Sequence, residues 1–528
     1  MMQEPVELYQ VWILSVLLSC AASWIIARRY RRRLQQLMRA PQERGPSPSA
    51  AAEEHADRPH ITPPTGSLAE NRAAGLRLTL LLVASSCLVA MTSAGIYAVL
   101  MFPADPLLPW RVIPLGLLQG WPAVLAVALL WRWSRVRVLA ALLLWCGATW
   151  LVLLGIATWR QNDLGPRLLL EIMASELSVT LPLLALVFLG QTTRAIAPWL
   201  LVPFALLAWS SLAGIHAMVS IGQQRSPAFS SIIVALDPVL GWLPWYGVML
   251  MFILLPWVAA WRPARALGRA LGRAYSRKWF SDLLVIYTAV WAFSLTDKAL
   301  TVATQTSTGL ASLSMYVPLV WIPIVFRSCA RRRTGGERGP TLLVLRVFHQ
   351  ERQTQSLFDQ VVERWRLSGN TVLIAGTDLA DRTIDADDIF RFLDRRLAER
   401  FIASPADVAA RVRAFDLATD IDGRYRVNEC YCHDTTWQDA LQVLVLRSDV
   451  VLMDLRGFQA HNAGCRYELA TLTNTPRPLR VVVLTDARTD HEAANEAVAS
   501  GRPERFTWVD ASCPPASPPR KVLAHLFG

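Results

Sequence analysis

Long apolar runs dominate the first part of this chain and limit what it can fold into. Most of them are close to the length that an α-helix needs to cross a bilayer, which is about 20 residues. The nine runs are 8–26, 78–102, 113–131, 138–159, 168–190, 199–221, 242–261, 283–296 and 309–326. The run 283–296 is short, so it spans only if Asp297 and Lys298 snorkel or the helix continues through Val302. The sequence therefore predicts a polytopic α-helical membrane domain with nine spans, or eight without that run.

Arginines mark one side of these runs. Arg28, Arg29 and Arg31 to Arg33 follow the first run instead of preceding it, which argues against a secretory signal peptide and favours an anchor whose N-terminus is outside. Threading the spans from there places the other arginine-rich loops and the C-terminal domain in the cytoplasm. We therefore expect a multi-pass protein of the cell inner (plasma) membrane, in contact with the lipid bilayer.

Composition divides the chain further. Residues 1–38 form the anchor with its basic flank, 39–75 a flexible linker, 76–333 the multi-span membrane domain and 341–528 a cytoplasmic domain. The first 340 residues carry 30 Lys and Arg against 15 Asp and Glu, whereas the rest carry 23 against 26. Because the basic excess lies beside apolar runs, it indicates membrane topology, and no nucleic-acid partner is expected. The eight cysteines lack the paired spacing of a disulfide framework, so reduced thiols are expected.

The C-terminal domain alternates apolar strands with helical segments. Leu342 to Phe348, Thr371 to Ala375, Val450 to Met453, Val481 to Leu484 and Phe506 to Val509 read as strands, and a more polar strand or hairpin lies near 425–432. Helices are predicted between them, including 354–367 and 387–401. This rhythm predicts a three-layer α/β domain with a mostly parallel, Rossmann- or flavodoxin-like sheet.

The stretch 448–475 of this domain concentrates groups that can do chemistry. Asp454 follows a buried strand, Asn462 suits a helix N-cap, and Glu468 falls in the second turn of the helix that follows. Ligands of open parallel sheets bind beyond the carboxyl ends of the strands, and a helix N-terminus attracts anions. We therefore expect Asp454 and Glu468 to face one pocket that takes a phosphorylated ligand.

Several segments resemble known families. LLVLRVFHQERQTQSLFDQVVERWRLSGNTVLIAG, followed by DVVLMDLRGF and CRYELATL, resembles a TIR-type domain. The spacing of Asn462, Gly464 and Glu468 is similar to that in nucleoside 2-deoxyribosyltransferases, although the first position is acidic there, and Cys465 stands where TIR enzymes often have a tryptophan. The resemblance implies a TIR-like sheet, Glu468 as catalytic residue at the anomeric carbon of an N-glycoside, and Asp454 near the base or ribose.

The resulting site hypothesis has Glu468 and Asp454 as catalytic residues and Arg346, Asp378, Asn462 and Gly464 as substrate-binding residues. Arg346 can bind a phosphate or pair with Asp378 or Asp454. Glu468 can instead be a helix carboxylate paired with Arg466 or Arg456. The substrate expected first is NAD, with no resident cofactor and no metal.

Two polar clusters are better explained by structure than by metal binding. The aspartates of GTDLADRTIDADD, at 378, 381, 385, 387 and 388, do not match a calcium loop, and N-cap chemistry accounts for several of them. Cys430, Cys432 and His433 lack a second Cys/His pair, so packing is favoured over zinc.

The membrane part offers its own candidates. Glu171, Glu176, His216 and Asp237 lie in or near the spans, where a charge is costly and can mark a ligand or ion site. Arg262, Arg265, Arg269, Arg273 and Arg277 form a helical stripe, interpreted as topological charge, with lipid or domain binding as the alternative.

Three functions remain open. The first is a membrane-anchored nucleotide-binding domain of bacterial style that acts as an N-glycosidase or NAD hydrolase in signalling or defence. The second is a non-catalytic TIR-like module that senses nucleotides or forms homo-oligomers through the cytoplasmic domain. The third is a transporter whose soluble domain is regulatory.

Overall fold

The computed structural model of the chain describes residues 4–39, 67–104, 106–160, 165–188, 191–222, 245–306, 309–330, 339–347, 358–375, 386–478, 480–499, 501–512 and 518–528. The chain divides into two compact units. The helical unit comprises Met1–Ile26 and Leu82–Val325, and the α/β unit comprises Ala27–Leu81 and Phe326–Gly528. The division falls inside the first two helices, so the α/β unit includes the C-terminal end of one and the N-terminal end of the other.

Long helices make up the N-terminal region. In chain order they are α1 (Glu4–Met38), α2 (Leu68–Met101), α3 (Pro109–Gln119), α4 (Pro122–Leu130), α5 (Arg135–Trp159), α6 (Pro166–Phe188), α7 (Gln191–Gly222), α8 (Trp245–Ser276), α9 (Asp282–Gln305), a 3-10 helix (Gly309–Val320) and α10 (Trp321–Ala330). α2 begins inside the predicted linker, and α9 continues through Val302, which gives the short apolar run the length to span.

Within the described residues, seven helices are long and apolar enough to cross a membrane, or eight if the bent pair α3 and α4 counts as one span. Eight of the nine predicted runs coincide with these candidates. The run 168–190 falls in α6, which is not among them. A multi-pass helical region is therefore confirmed in its coarse form.

Small and hydroxyl-bearing residues let these helices approach closely. At Gly214 of α7 an added Cβ would lie 1.9 Å from the carbonyl oxygen of Phe252 in α8. The Trp257 indole donates to Ser211 Oγ at 2.6 Å in the same helix pair. Elsewhere the Tyr287 hydroxyl of α9 lies 2.8 and 2.7 Å from the hydroxyls of Ser85 and Ser86 in α2. These contacts follow the small-residue and polar pattern of helix pairs in membranes.

The α/β unit alternates strands and helices as predicted. Its elements are β1 (Thr341–Arg346), a π-helical turn (Phe358–Val362) leading into Glu363–Trp365, β2 (Asn370–Ile374), α11 (Ala386–Leu393), a 3-10 turn (Leu397–Arg400), β3 (Phe401–Ile402), α12 (Pro405–Arg413), β4 (Val427–Cys432), α13 (Trp437–Arg447), β5 (Val450–Asp454), α14 (Ala463–Asn474), β6 (Arg480–Thr485), α15 (His491–Val498), β7 (Phe506–Asp510) and α16 (Pro518–Phe527).

The described strands form one seven-stranded sheet in the order β3-β4-β2-β1-β5-β6-β7, and every pairing is parallel. The apolar runs at β1, β2, β5 and β6 are buried on both faces, as parallel strands require. The predicted helix 387–401 was too long, because α11 ends at Leu393, Arg395 adopts a φ of 63°, and Phe401 starts β3. The prediction of a three-layer parallel α/β fold is confirmed.

Two apolar cores lie on opposite faces of the sheet. One contains Val451 and Met453 of β5 with Cys465 and Leu469 of α14. The other contains Val450 and Leu452 of β5 with Leu523 of α16. Residues of one strand therefore alternate between the α14 side and the α16 side of the sheet.

Candidate functional site

The strand order reverses between β1 and β5. β2, β4 and β3 lie on one side of β1, and β5, β6 and β7 lie on the other. In a doubly wound sheet a ligand crevice opens at such a switch point, beyond the carboxyl ends of the strands. Arg346 and Asp454 end the two strands and are in direct register. The fold therefore brings these two predicted site residues to the switch point.

Asp454 is held by an arginine of its own loop. The Arg456 guanidinium donates from Nε to Oδ1 at 2.7 Å and from Nη2 to Oδ2 at 2.6 Å, and both side chains are largely buried. The backbone N–H of Arg456 also donates to Oδ1 at 3.2 Å. A turn with Gly457 at a φ of 70° brings Arg456 back to the strand end. Asp454 is thus suited to holding the loop in place.

Asp454 and Glu468 belong to different elements, the strand β5 and the helix α14 that follows it. Asp454 alternates with Met453 and so shares the α16 side with Val450 and Leu452. Glu468 lies on α14, whose apolar residues pack on the other side. Together with burial, the charges of Glu468 and Asp454 nevertheless both raise the pKa of the Cys465 thiol, so the two carboxyls lie near the same strand end.

Glu468 is a buried carboxyl without a full set of partners. Its side chain is on the second turn of α14 and the residue is 4% exposed. Within the described part of the chain, Oε2 has no hydrogen-bond partner. Burial raises the pKa of Glu468 to about 8, and the positive charge of Arg346 opposes this rise. The two arginines considered as partners of Glu468 lie against other carboxylates, Arg456 against Asp454 at 2.6 Å and Arg466 3.9 Å from Glu496.

Cys465 and Arg346 complete the surroundings of Glu468. Cys465 lies one turn before Glu468, and its Sγ is 3.9 Å from the carbonyl oxygen of Arg346. Burial raises the pKa of the Cys465 thiol, and the nearby charge of Glu468 raises it further. The thiol is therefore neutral near pH 7, and it packs as a small apolar group in the core. Arg346 is itself buried.

Asn462 and Gly464 form the start of α14. Asn462 is the N-cap residue, as predicted, but its side chain makes no capping bond to the helix. Its Oδ1 instead accepts from the backbone N–H of Gln459 at 2.7 Å and closes the loop before the helix. A Cβ added at Gly464 would meet only the Trp437 ring, at 4.0 Å. The first turn of α14 therefore has space beside it.

The predicted aspartate cluster lies partly outside the described residues. Asp378, one of the four predicted substrate-binding residues, is outside the described residues, as are Asp381 and Asp385. Asp387 pairs with Arg391 at 2.8 Å on α11. Asp388 is buried, pairs with Arg400 at 2.9 Å and accepts from the Tyr431 hydroxyl at 2.7 Å. The first turn of α11 is thus held by ion pairs.

Cys430 and Cys432 lie side by side in the core. Both are buried on the α14 side of β4, with their sulfurs 3.8 Å apart. His433 points elsewhere, because its Nδ1 lies 2.7 Å from the carbonyl oxygen of Leu37 at the end of α1. No group of three or more metal-ligating side chains occurs among the residues described here. The packing interpretation of these cysteines agrees with their environment.

Sequence reasoning missed a second buried carboxyl, Glu429. It lies on β4, is 8% exposed, and its Oε1 has no hydrogen-bond partner in the described ranges. Burial raises the pKa of Glu429 to about 8, and the charge of Asp388 raises it further. The available signal was an acidic residue inside VNECYC, the most polar predicted strand.

Of the ionisable residues predicted in or near the spans, the two glutamates form ion pairs, and one residue is outside the described part of the chain. Glu171 pairs with Arg167 at 3.2 Å on the exposed side of α6. Glu176 pairs with Lys298 of α9, and Lys298 also lies 3.4 Å from Asp297. His216 belongs to α7, and Asp237 is outside the described residues. Glu176 therefore has a cationic partner inside the helical unit.

The comparison with known proteins leaves the family open. No protein-family model matches the chain, and searches of curated proteins and of solved structures find no match to it.

Proposed function

We propose that the α/β unit binds a nucleotide at the β1–β5 switch point and cleaves its N-glycosidic bond, with Glu468 as the catalytic residue and NAD as the substrate. The observation that carries this proposal is the buried Glu468 carboxyl, whose Oε2 has no partner in the described structure and which lies near Arg346. Burying an unpaired carboxyl is costly, and such strain is typical of functional sites.

The chemistry requires an ionised carboxylate at the sugar. When the bond between C1′ and the nicotinamide nitrogen breaks, its electron pair leaves with the base and positive charge builds on the ribose. Water then adds its oxygen to C1′ and releases a proton. Nicotinamide leaves as a neutral ring without being protonated, so one carboxylate suffices and no general acid is needed. The cationic ring and Arg346 would both favour the ionised form of Glu468.

The other residues take supporting roles in this proposal. Arg346 binds a phosphate or holds Glu468 ionised, and Asp378, Asn462 and Gly464 line the ligand. Asp454 is a positioning residue, because its oxygens bind Arg456. The start of α14, where Gly464 leaves space, faces the anionic part of the ligand.

A nucleotide-sensing module without turnover is the second candidate. It is favoured by the ion pair between Asp454 and Arg456, which leaves the site with one carboxylate instead of two. Such a module would use ligand occupancy or homo-oligomer contacts of the α/β unit to pass a signal, in the manner of TIR-type domains.

The proposed setting is the inner (plasma) membrane of a bacterial cell. The seven candidate spans support a multi-pass protein, and the arginines after α1 support an external N-terminus with the α/β unit in the cytoplasm. The α/β unit would then meet cytoplasmic NAD and act in signalling or defence.

The experiment uses the full-length protein in lipid nanodiscs with NAD and, separately, a neutral purine nucleoside. We expect nicotinamide release that Glu468→Gln slows about a hundredfold or more, while the matched Glu496→Gln, on the exposed face of α15, has wild-type activity. The nucleoside, whose base needs a proton to leave, should stay intact. Equal release by Glu468→Gln and wild type would overturn the enzyme proposal, and tight NAD binding without release would favour the sensor.

A further inference from the structure

The C-terminal end of α1 is built into the α/β unit. The carbonyl oxygen of Met38 accepts from the backbone N–H of Asp434 at 3.1 Å, and that of Leu37 lies 2.7 Å from His433 Nδ1. These contacts satisfy carbonyls that a helix end leaves unpaired. Leu34 of the same helix is 1% exposed. The helix end is therefore fixed to the loop that follows β4.

A buried row of polar side chains leads from this helix end into the sheet. The Tyr30 and Tyr431 hydroxyls lie 3.0 Å apart, and the Tyr431 hydroxyl donates to Asp388 Oδ2 at 2.7 Å. Each of these three residues is at most 2% exposed. Glu429 lies two residues before Tyr431 and shares its face of β4. We call Tyr30, Tyr431, Asp388 and Glu429 the polar chain.

The far end of the polar chain lies close to the site. Register places Glu429 beside Leu373 of β2, and Leu373 beside Val344 of β1. At a strand spacing of about 4.8 Å, Glu429 is about 10 Å from β1. Arg346 follows Val344 on the same face of β1, and its long side chain can bridge part of that gap. Its charge lowers the pKa of both Glu429 and Glu468.

We propose that the first membrane helix regulates the nucleotide site, because the polar chain links Tyr30 to Arg346 and Arg346 acts on Glu468. This inference rests on the proposed function for the identity of the ligand, but the link itself does not. A shift of α1 changes the hydrogen bond of Tyr431 to Asp388, which changes the charge that Arg346 meets at Glu429. The electrostatic interaction of Arg346 with Glu468 then changes as well, because the same guanidinium acts on both Glu429 and Glu468. Linkage requires the reverse effect, so a change at Arg346 alters how firmly α1 is docked.

The first arm of the test needs no ligand. Amide hydrogen exchange of residues 30–38 is measured in the full-length protein in nanodiscs for wild type and Arg346→Met. We expect exchange at α1 to speed up about fivefold or more in Arg346→Met. The matched control is Arg505→Met, which removes a half-buried guanidinium that donates to two carbonyls at the opposite end of the strands. It should leave α1 unchanged.

A further variant separates coupling from misfolding. Arg346→Lys keeps the charge and should retain wild-type exchange at α1. If Arg346→Met leaves α1 unchanged, or if Arg346→Lys loosens it equally, the link is overturned.

The second arm measures NAD affinity by calorimetry in Tyr30→Phe, which removes only the hydroxyl. We expect NAD to bind about fivefold or more weakly, while Tyr425→Phe, a half-buried tyrosine outside the polar chain, matches wild type. If NAD binds wild type and Tyr30→Phe alike, regulation by α1 is overturned while the proposed function stands. If NAD binds none of the proteins, the proposed function fails and the exchange arm alone decides the link.

Discussion

Two buried carboxyls, Glu468 and Glu429, define the chemistry of the α/β unit. Each has an oxygen without a hydrogen-bond partner in the described residues, and burial raises the pKa of each to about 8. Asp454, the other predicted catalytic carboxyl, has both oxygens bound by Arg456. Glu468 and Asp454 can therefore differ in role, because Asp454 is bound by an arginine whereas Glu468 has an oxygen without a partner in the described residues.

The raised pKa of Glu468 makes the stability of the α/β unit depend on pH. In the unfolded chain a glutamate releases its proton near pH 4.5, whereas in the folded unit Glu468 keeps it until about pH 8. The folded state then binds more protons at Glu468 between these values, so the contribution of this group to stability is most favourable below pH 4.5 and decreases as the pH rises to about 8. The slope contributed by one proton is about 1.4 kcal/mol per pH unit.

Glu468→Gln removes this titration while preserving the shape of the side chain. We therefore expect the variant to gain stability over wild type as the pH rises from 5 to about 8, measured as the thermal unfolding midpoint of the full-length protein. Cys465 on the same helix, Arg346 on β1 and Asp454 on β5 are the charged and titratable neighbours, and they are unchanged in the variant. Parallel midpoint curves for wild type and variant would show that Glu468 titrates normally.

At the scale of elements, close helix contacts set the packing of the helical unit. Gly214 lets α7 approach α8 so closely that a Cβ would lie 1.9 Å from the Phe252 carbonyl oxygen. The added Cβ would be fixed to the backbone of α7 and would overlap a backbone atom of α8, so the two helices would have to move apart to relieve the overlap. We expect Gly214→Ala to lower stability by about 1 to 3 kcal/mol.

The matched control for this prediction is Gly147→Ala on α5. At Gly147 an added Cβ meets nothing within 4 Å, so helix propensity alone acts and stability should be equal or slightly higher. Both variants are compared by thermal unfolding in the same detergent. Equal midpoints for the two would mean that α7 and α8 do not pack through Gly214.

The sequence predicts those elements whose residues carry their own signal. The apolar runs of β1, β2, β5 and β6 were found because strands buried on both faces are continuously apolar. The two-residue strand β3 was missed because it follows α11 and the 3-10 turn without a change in the hydrophobic pattern of the sequence. The loop role of Asp454 was also missed, because the bond to Arg456 depends on a turn through Gly457 at positive φ, which no periodicity shows. The burial of Glu429 depended on α11 packing over β4, which is a tertiary effect.

At the scale of the whole molecule, the orientation of the chain in the membrane decides which ligands can reach the site of the α/β unit. The arginines of the stripe, which begins at Arg262 in α8 and ends at Arg277 just after this helix, are exposed. If the N-terminus is outside, this stripe faces the cytoplasm. We expect trypsin to cut within the stripe in inverted membrane vesicles and to leave it intact in right-side-out vesicles, as read by mass spectrometry of the fragments. Cleavage in right-side-out vesicles alone would reverse the topology.

The central claim is that the ligand binds where β1 and β5 end. The most direct measurement is the change in amide hydrogen exchange of the full-length protein in nanodiscs when NAD is added. The account predicts slower exchange at residues 346–347 and across 455–468, with no change at the N-terminal ends of the same strands. Protection that falls elsewhere in the chain, or no protection at saturating NAD, would contradict it.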